Sequence, residues 1–96
     1  MQTFHLVASG SRNSAFGYNA LKDISTGRGN TGVGQFAIPI LTDGEFNTGV
    51  GNNCLTLLTE GDNNTAFGLN SGGSLTIGNN NTMIGSETDC SAELDN

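Results

Sequence analysis

Few residues in this chain could do chemistry, and the best placed of them flank two glycines. Asp43-Gly44-Glu45 and Glu60-Gly61-Asp62 repeat the same acid-Gly-acid pattern seventeen residues apart. If the chain stacks at that interval, Asp43 lies over Glu60 and Glu45 over Asp62. Carboxylate oxygens crowded at a turn suit a hard cation such as Ca²⁺, so Asp43, Glu45, Glu60 and Asp62 are a candidate cation site. Arg28 precedes Glu45 by the same interval, and the competing reading is an exposed ion-pair ladder of little net worth. Catalysis has little else to draw on. His5 is the single histidine and lies in the partial first coil, so no Ser-His-Asp or Cys-His arrangement can be argued. The expectation is a protein that is not an enzyme, with no cofactor beyond that candidate Ca²⁺.

The interval of seventeen runs through the whole chain. Asn13, Asn30, Asn47, Asn64 and Asn81 each open a five-residue unit: Asn-Ser-Ala-Phe-Gly, Asn-Thr-Gly-Val-Gly twice, Asn-Thr-Ala-Phe-Gly and Asn-Thr-Met-Ile-Gly. With each Asn as column 1, column 5 is Gly17, Gly34, Gly51, Gly68 and Gly85. Column 15 is Gly27, Gly44, Gly61 and Gly78. Column 12 is Ile24, Leu41, Leu58 and Leu75, and column 9 is Leu21, Ile38, Leu55 and then Gly72. A fixed internal period outranks other sequence signals and identifies a repeat architecture. The chain divides into a partial coil (1–12), four full coils (13–29, 30–46, 47–63, 64–80) and a degenerate last coil (81–96). Together these form one repeat domain over 1–96.

Seventeen residues are too few for a helical repeat pair, and Gly inside a helix costs about 1 kcal/mol per residue. Two short strands with glycine corners fit: columns 1–5 for the first, columns 8–14 for the second. Gly accepts φ > 0 without penalty and suits both corners. The expected fold is all-β, a parallel β-solenoid with coils about 4.8 Å apart. At that rise Cys54 and Cys90, two coils apart, are too distant for a disulfide, and free thiols are expected.

Strand alternation separates columns 2 and 4 from columns 1, 3 and 5. Columns 2 and 4 carry Ser14/Thr31/Thr48/Thr65/Thr82 and Phe16/Val33/Val50/Phe67/Ile84, and the side chains of Phe16, Val33, Val50 and Phe67 are expected to be buried. Column 3 carries Ala15, Gly32, Gly49, Ala66 and Met83. So uniformly small a strip suits close approach by another chain, because a strand Gly has no side chain to pack. Association through column 3 is therefore expected, with the Asn column bonding along the stack or across chains.

Composition narrows the partners. The net charge is −6 with three basic residues, which argues against nucleic acid, whose phosphates need a basic face. No apolar run reaches the roughly 20 residues of a spanning helix, so membrane insertion is not expected. The first residues lack the basic start and apolar segment of a secretion signal. Disorder is the alternative for a chain rich in Gly, Asn and Thr, and the apolar residues recurring at columns 4, 9 and 12, which a solvated chain does not require, argue against it.

The unit Asn-(Ser/Thr)-(Ala/Gly)-(Val/Phe/Ile)-Gly, followed by Ala20-Leu21 and then Thr26-Gly27, resembles repeats of phage tail fibres and the head repeats of trimeric autotransporter adhesins. The resemblance covers residues 4 to about 86, and it is closer to the fibre version in period. It implies a homo-oligomer, a trimer, in which three chains of stacked β-coils build a virion fibre or surface adhesin. Its role would be structural and adhesive, presenting a rigid surface to a host glycan or surface protein. The chain departs from the pattern at Gly72, at Ser71, and at Asp89, Ala92 and Asp95 in the last coil. Its acidic tail reads either as a polar cap or as a frayed end.

Two other classes remain. Stacked coils can display ordered threonines to ice, and columns 2 and 13 (Ser25, Thr42, Thr59, Thr76) are hydroxyl columns. Against this, column 2 shares its strand face with apolar column 4. An inter-chain glycan depolymerase would need acids grouped in a cleft, and only the Asp43/Glu60 corner offers them.

Overall fold

A computed structural model of the chain describes residues 12–89. His5, Cys90, most of the partial first coil and the end of the last coil lie outside the described residues. The described body is a parallel β-solenoid. Its strands β1 (Ser14–Phe16), β2 (Thr31–Val33), β3 (Thr48–Val50), β4 (Thr65–Phe67) and β5 (Thr82–Ile84) form one sheet in chain order. All neighbours are parallel and offset by seventeen residues, Ser14 facing Thr31 and Phe67 facing Ile84. No helix occurs among the described residues.

Each coil has one three-residue strand rather than two longer ones. Columns 8–14 do not form the expected second strand, although Thr42 N–H still donates to the Thr59 carbonyl (3.1 Å) and Thr59 N–H to that of Thr76 (2.9 Å). The backbone turns too often for an extended run. Leu21, Ile38 and Leu55 at column 9 have φ of 50°, 46° and 50°, and Asn19, Asn53 and Asn70 at column 7 have φ of 61°, 60° and 55°. Asn tolerates the left-handed region, whereas for a β-branched residue such as Ile38 it costs roughly 1–2 kcal/mol. Complete burial of that side chain offsets this, at about 1.5–3 kcal/mol for a large aliphatic group.

Glycine corners set the coil's rise. At column 5, Gly34 has φ +124°, and a Cβ there would stand 2.7 Å from the Gly51 carbonyl oxygen of the next coil. Only a residue without a side chain can turn the corner and let the next coil approach. At column 15 a Cβ on Gly44 would collide with the Gly61 carbonyl oxygen and with Leu41.

The interior reverses the expected strand faces. The core is Leu21, Ile38 and Leu55 (column 9), Ile24, Leu41, Leu58 and Leu75 (column 12) and Ala20, Ala37 and Cys54 (column 8), with column 3 facing them. Leu41, Leu58 and Leu75 are buried as expected, but Phe16 and Phe67 are each 54 % exposed, Val33 is 38 % exposed and Val50 is half-buried. A coil of seventeen residues encloses only one layer of large side chains, so the facing strand must present small ones. A Cβ on Gly32 would lie 3.2 Å from Leu21 Cγ, and one on Gly49 would lie 2.8 Å from both Ile38 Cγ1 and Cys54 Sγ. Column 3 is thus packed inside the chain's own coil and is not free to meet another chain.

Candidate functional site

The asparagine column is internal from Asn30 to Asn81, with Asn13 half-buried at its start. Asn47 sends its backbone N–H (2.8 Å) and its side-chain amide (3.1 Å) to Asn30 Oδ1, and the amide's other hydrogen to the Gly61 carbonyl (2.7 Å). Asn64 repeats this with Asn47 Oδ1 and the Gly78 carbonyl, and Asn30 with Asn13 Oδ1 and the Gly44 carbonyl. Each amide therefore ties its coil to the one before and closes its own corner on a column-15 carbonyl. The side chain must accept at one atom and donate two hydrogens from another, which neither a carboxylate nor a hydroxyl can do. The bonds run along the stack.

The acidic corner assembles as a surface hollow of about 350 Å³ lined by Asp43, Gly44, Glu60, Gly61, Asp62, Ile77 and Asn79. Two of its three carboxylates, Asp43 and Asp62, are already engaged in holding coil to coil. Asp62 Oδ1 accepts the Glu45 backbone N–H (2.8 Å), and in the next coil Asn79 Oδ1 accepts that of Asp62 (2.8 Å). Asp43 accepts the Thr26 hydroxyl (2.7 Å). Arg28 meets Glu45 twice, as a backbone bridge and as an ion pair of 3.4 Å between exposed side chains. Its guanidinium also sits 5.7 Å from the centre of the Phe46 ring, an arrangement worth about 0.5–1 kcal/mol at exposed sites. Among the described residues no three His, Cys, Asp or Glu side chains converge as metal ligands do. The geometry serves a column-16 ladder in which Asp62 and Asn79 cap the backbone of the preceding coil and Glu45 pairs with Arg28.

Cys54 is a free, buried thiol. Burial pushes its pKa up from 9.0 to about 11, which removes the thiolate that nucleophilic chemistry needs.

The feature that sequence reasoning missed is the outer face of β1–β5. Phe16, Val33, Phe67 and Ile84 project from it, and Tyr18 and Leu69 at column 6 are exposed beside it. Threonines 31, 48 and 65 share this face, half-buried, with Ser14 and Thr82 exposed at its two ends. Columns 1 to 6 carry no charged residue from Asn13 to Ser86. The signal was present: a column that mixes Phe, Val and Ile does not fit an interior as narrow as this one. No helix of the described residues is long and apolar enough to cross a membrane. No family model, curated protein or solved structure matches the chain.

Proposed function

We propose that this chain is a structural and adhesive segment of a virion fibre or comparable surface adhesin, not an enzyme. It works as a homo-oligomer, a trimer, whose rigid coils present a surface to a host glycan or surface protein. The observation that carries this reading is the asparagine ladder from Asn13 to Asn81. It ties each described coil to the next, with bonds that are buried from Asn30 to Asn81, and this favours a stiff rod segment over a deformable pocket. A −6 chain with rigid walls and an uncharged apolar face suits a role carried out by shape. Light scattering of the purified protein tests the assembly, and a glycan array tests the adhesion. A single-chain mass at every concentration removes the trimer, and an empty array removes the glycan.

The direction of column 2 favours one other reading. The objection to ice binding was burial of the threonines, yet Thr31, Thr48 and Thr65 stand on the outer face in successive rows of one sheet. Phe16 and Phe67 interrupt the flatness that a crystal plane requires, and ice is the weaker reading. Thermal hysteresis of the purified protein separates the two.

A further inference from the structure

We propose that copies of this chain pack side by side, parallel and row on row, through the outer face of β1–β5, with column 4 at the centre of the seam. The inference rests on the fibre reading, which requires all chains to run in one direction, and it names the surface by which they meet.

Three observations select that face and a second copy as its occupant. First, Phe16, Val33, Phe67 and Ile84 form one exposed apolar row running the height of the sheet, widened by Tyr18 and Leu69. A contiguous exposed apolar row, unlike surface apolar residues scattered singly, is a candidate interaction surface. Second, charge leaves identical chains no better approach. With a net charge of −6, two copies repel wherever acids face each other, and Asp23, Asp43, Glu45, Glu60, Asp62 and Glu87 all stand outside columns 1 to 6. Third, the face is periodic. Rows repeat every seventeen residues in strict register, and a parallel second copy has the same rise by construction, so a match at one row is a match at all five.

Size bears on the closure. The strip is about 20 Å tall and 10 Å wide from strand dimensions, well under the roughly 800 Å² per partner of a stable two-chain interface. A closed ring in which each chain touches two neighbours uses the strip and both its flanks, and so buries more per chain than a dimer does.

The decisive variants are Phe67→Glu, within the seam, and Leu57→Glu, at an exposed apolar position of column 11 on another wall. Light scattering should give a multiple of 9.9 kDa for the wild type and for Leu57→Glu, and a single-chain mass for Phe67→Glu with its circular dichroism unchanged. A second variant does not depend on how well Phe67→Glu folds. Ser14→Cys in the first row, in a Cys90→Ser background, should crosslink chain to chain under mild oxidation. Only parallel copies bring row one to row one. A Phe67→Glu protein that keeps the multiple mass, or a Ser14→Cys protein that does not crosslink while still associated, overturns the seam and leaves the fibre reading intact. A wild type that is a single chain at all concentrations overturns both.

Discussion

Gly72 and Met83 occupy complementary positions: a Cβ on Gly72 would lie 3.1 Å from Met83 Cε and 3.3 Å from its Sδ. Earlier coils place a large residue at column 9 and a small one at column 3, as in Ile38 with Gly49. The fourth coil exchanges the sizes, and the Met83 side chain enters the room that a column-9 Leu would take. Ser71, buried beside it in place of Ala or Cys, is satisfied by the Met83 carbonyl (3.1 Å) and the Thr88 hydroxyl (2.9 Å). An apparent decay of the repeat is a repacking.

That exchange predicts a coupled pair. Gly72→Leu alone overpacks against Leu55 and Met83 and should destabilise by about 2–3 kcal/mol. Met83→Ala alone should destabilise by about 2–4 kcal/mol through a cavity. The double variant restores the Leu-with-Ala arrangement found at Leu55 and Ala66, so its loss should fall at least 1 kcal/mol short of the sum. Urea unfolding of the four proteins measures this, and strict additivity would contradict the exchange.

Asn47→Ala should cost about 3–5 kcal/mol, because the Gly61 carbonyl and the Asn64 N–H groups lose their partner inside the stack. Asn47→Asp keeps an acceptor but buries a charge and loses the amide donors, so it should be at least as damaging at pH 7. An Asp variant as stable as wild type in urea would show that the donors to Asn30 Oδ1 and Gly61 are dispensable.

Gly49→Leu should unfold the protein rather than dissociate it, since its side chain would enter the space of Ile38 and Cys54. Circular dichroism and light scattering on the same sample distinguish these outcomes. A folded single-chain Gly49→Leu protein would restore column 3 as an interface.

Asp62→Asn keeps the oxygen that accepts the Glu45 N–H and removes a negative charge from the corner, as Asn79 already does one coil on. The melting temperature should stay within about 2 °C of wild type, since surface changes of this kind lie within ±0.5 kcal/mol. EDTA should not change it either. A drop of several degrees with EDTA would instead mean that Asp43, Glu45, Glu60 and Asp62 hold Ca²⁺.

Cys54 should resist thiol reagents at pH 7 to 8 until the chain unfolds. Its folded pKa of about 11 lies above the ordinary 9.0, so the unfolded state loses the proton first as pH rises. The stability that this group contributes is complete below about pH 9 and is lost as pH climbs through 11, on the order of 2–3 kcal/mol for a shift of this size. Cys54→Ala should flatten that alkaline loss. An unchanged slope would assign the loss to other groups.

The period, the stacking of β-coils and the glycine corners follow from the sequence alone, because only a constraint repeated once per coil keeps Asn and Gly in register from Asn13 to Gly85. The burial of Leu41, Leu58 and Leu75 and the pairing of Arg28 with Glu45 follow from that same spacing. Tertiary structure alone decided which way each strand faces. Alternation assigns Thr48 and Val50 to one face and Gly49 to the other, but it does not say which is inside. The thin coil decides: Leu21, Ile38 and Leu55 fill its interior from the opposite wall, so the strand turns its glycines and alanines inward and its phenylalanines and valines to the surface.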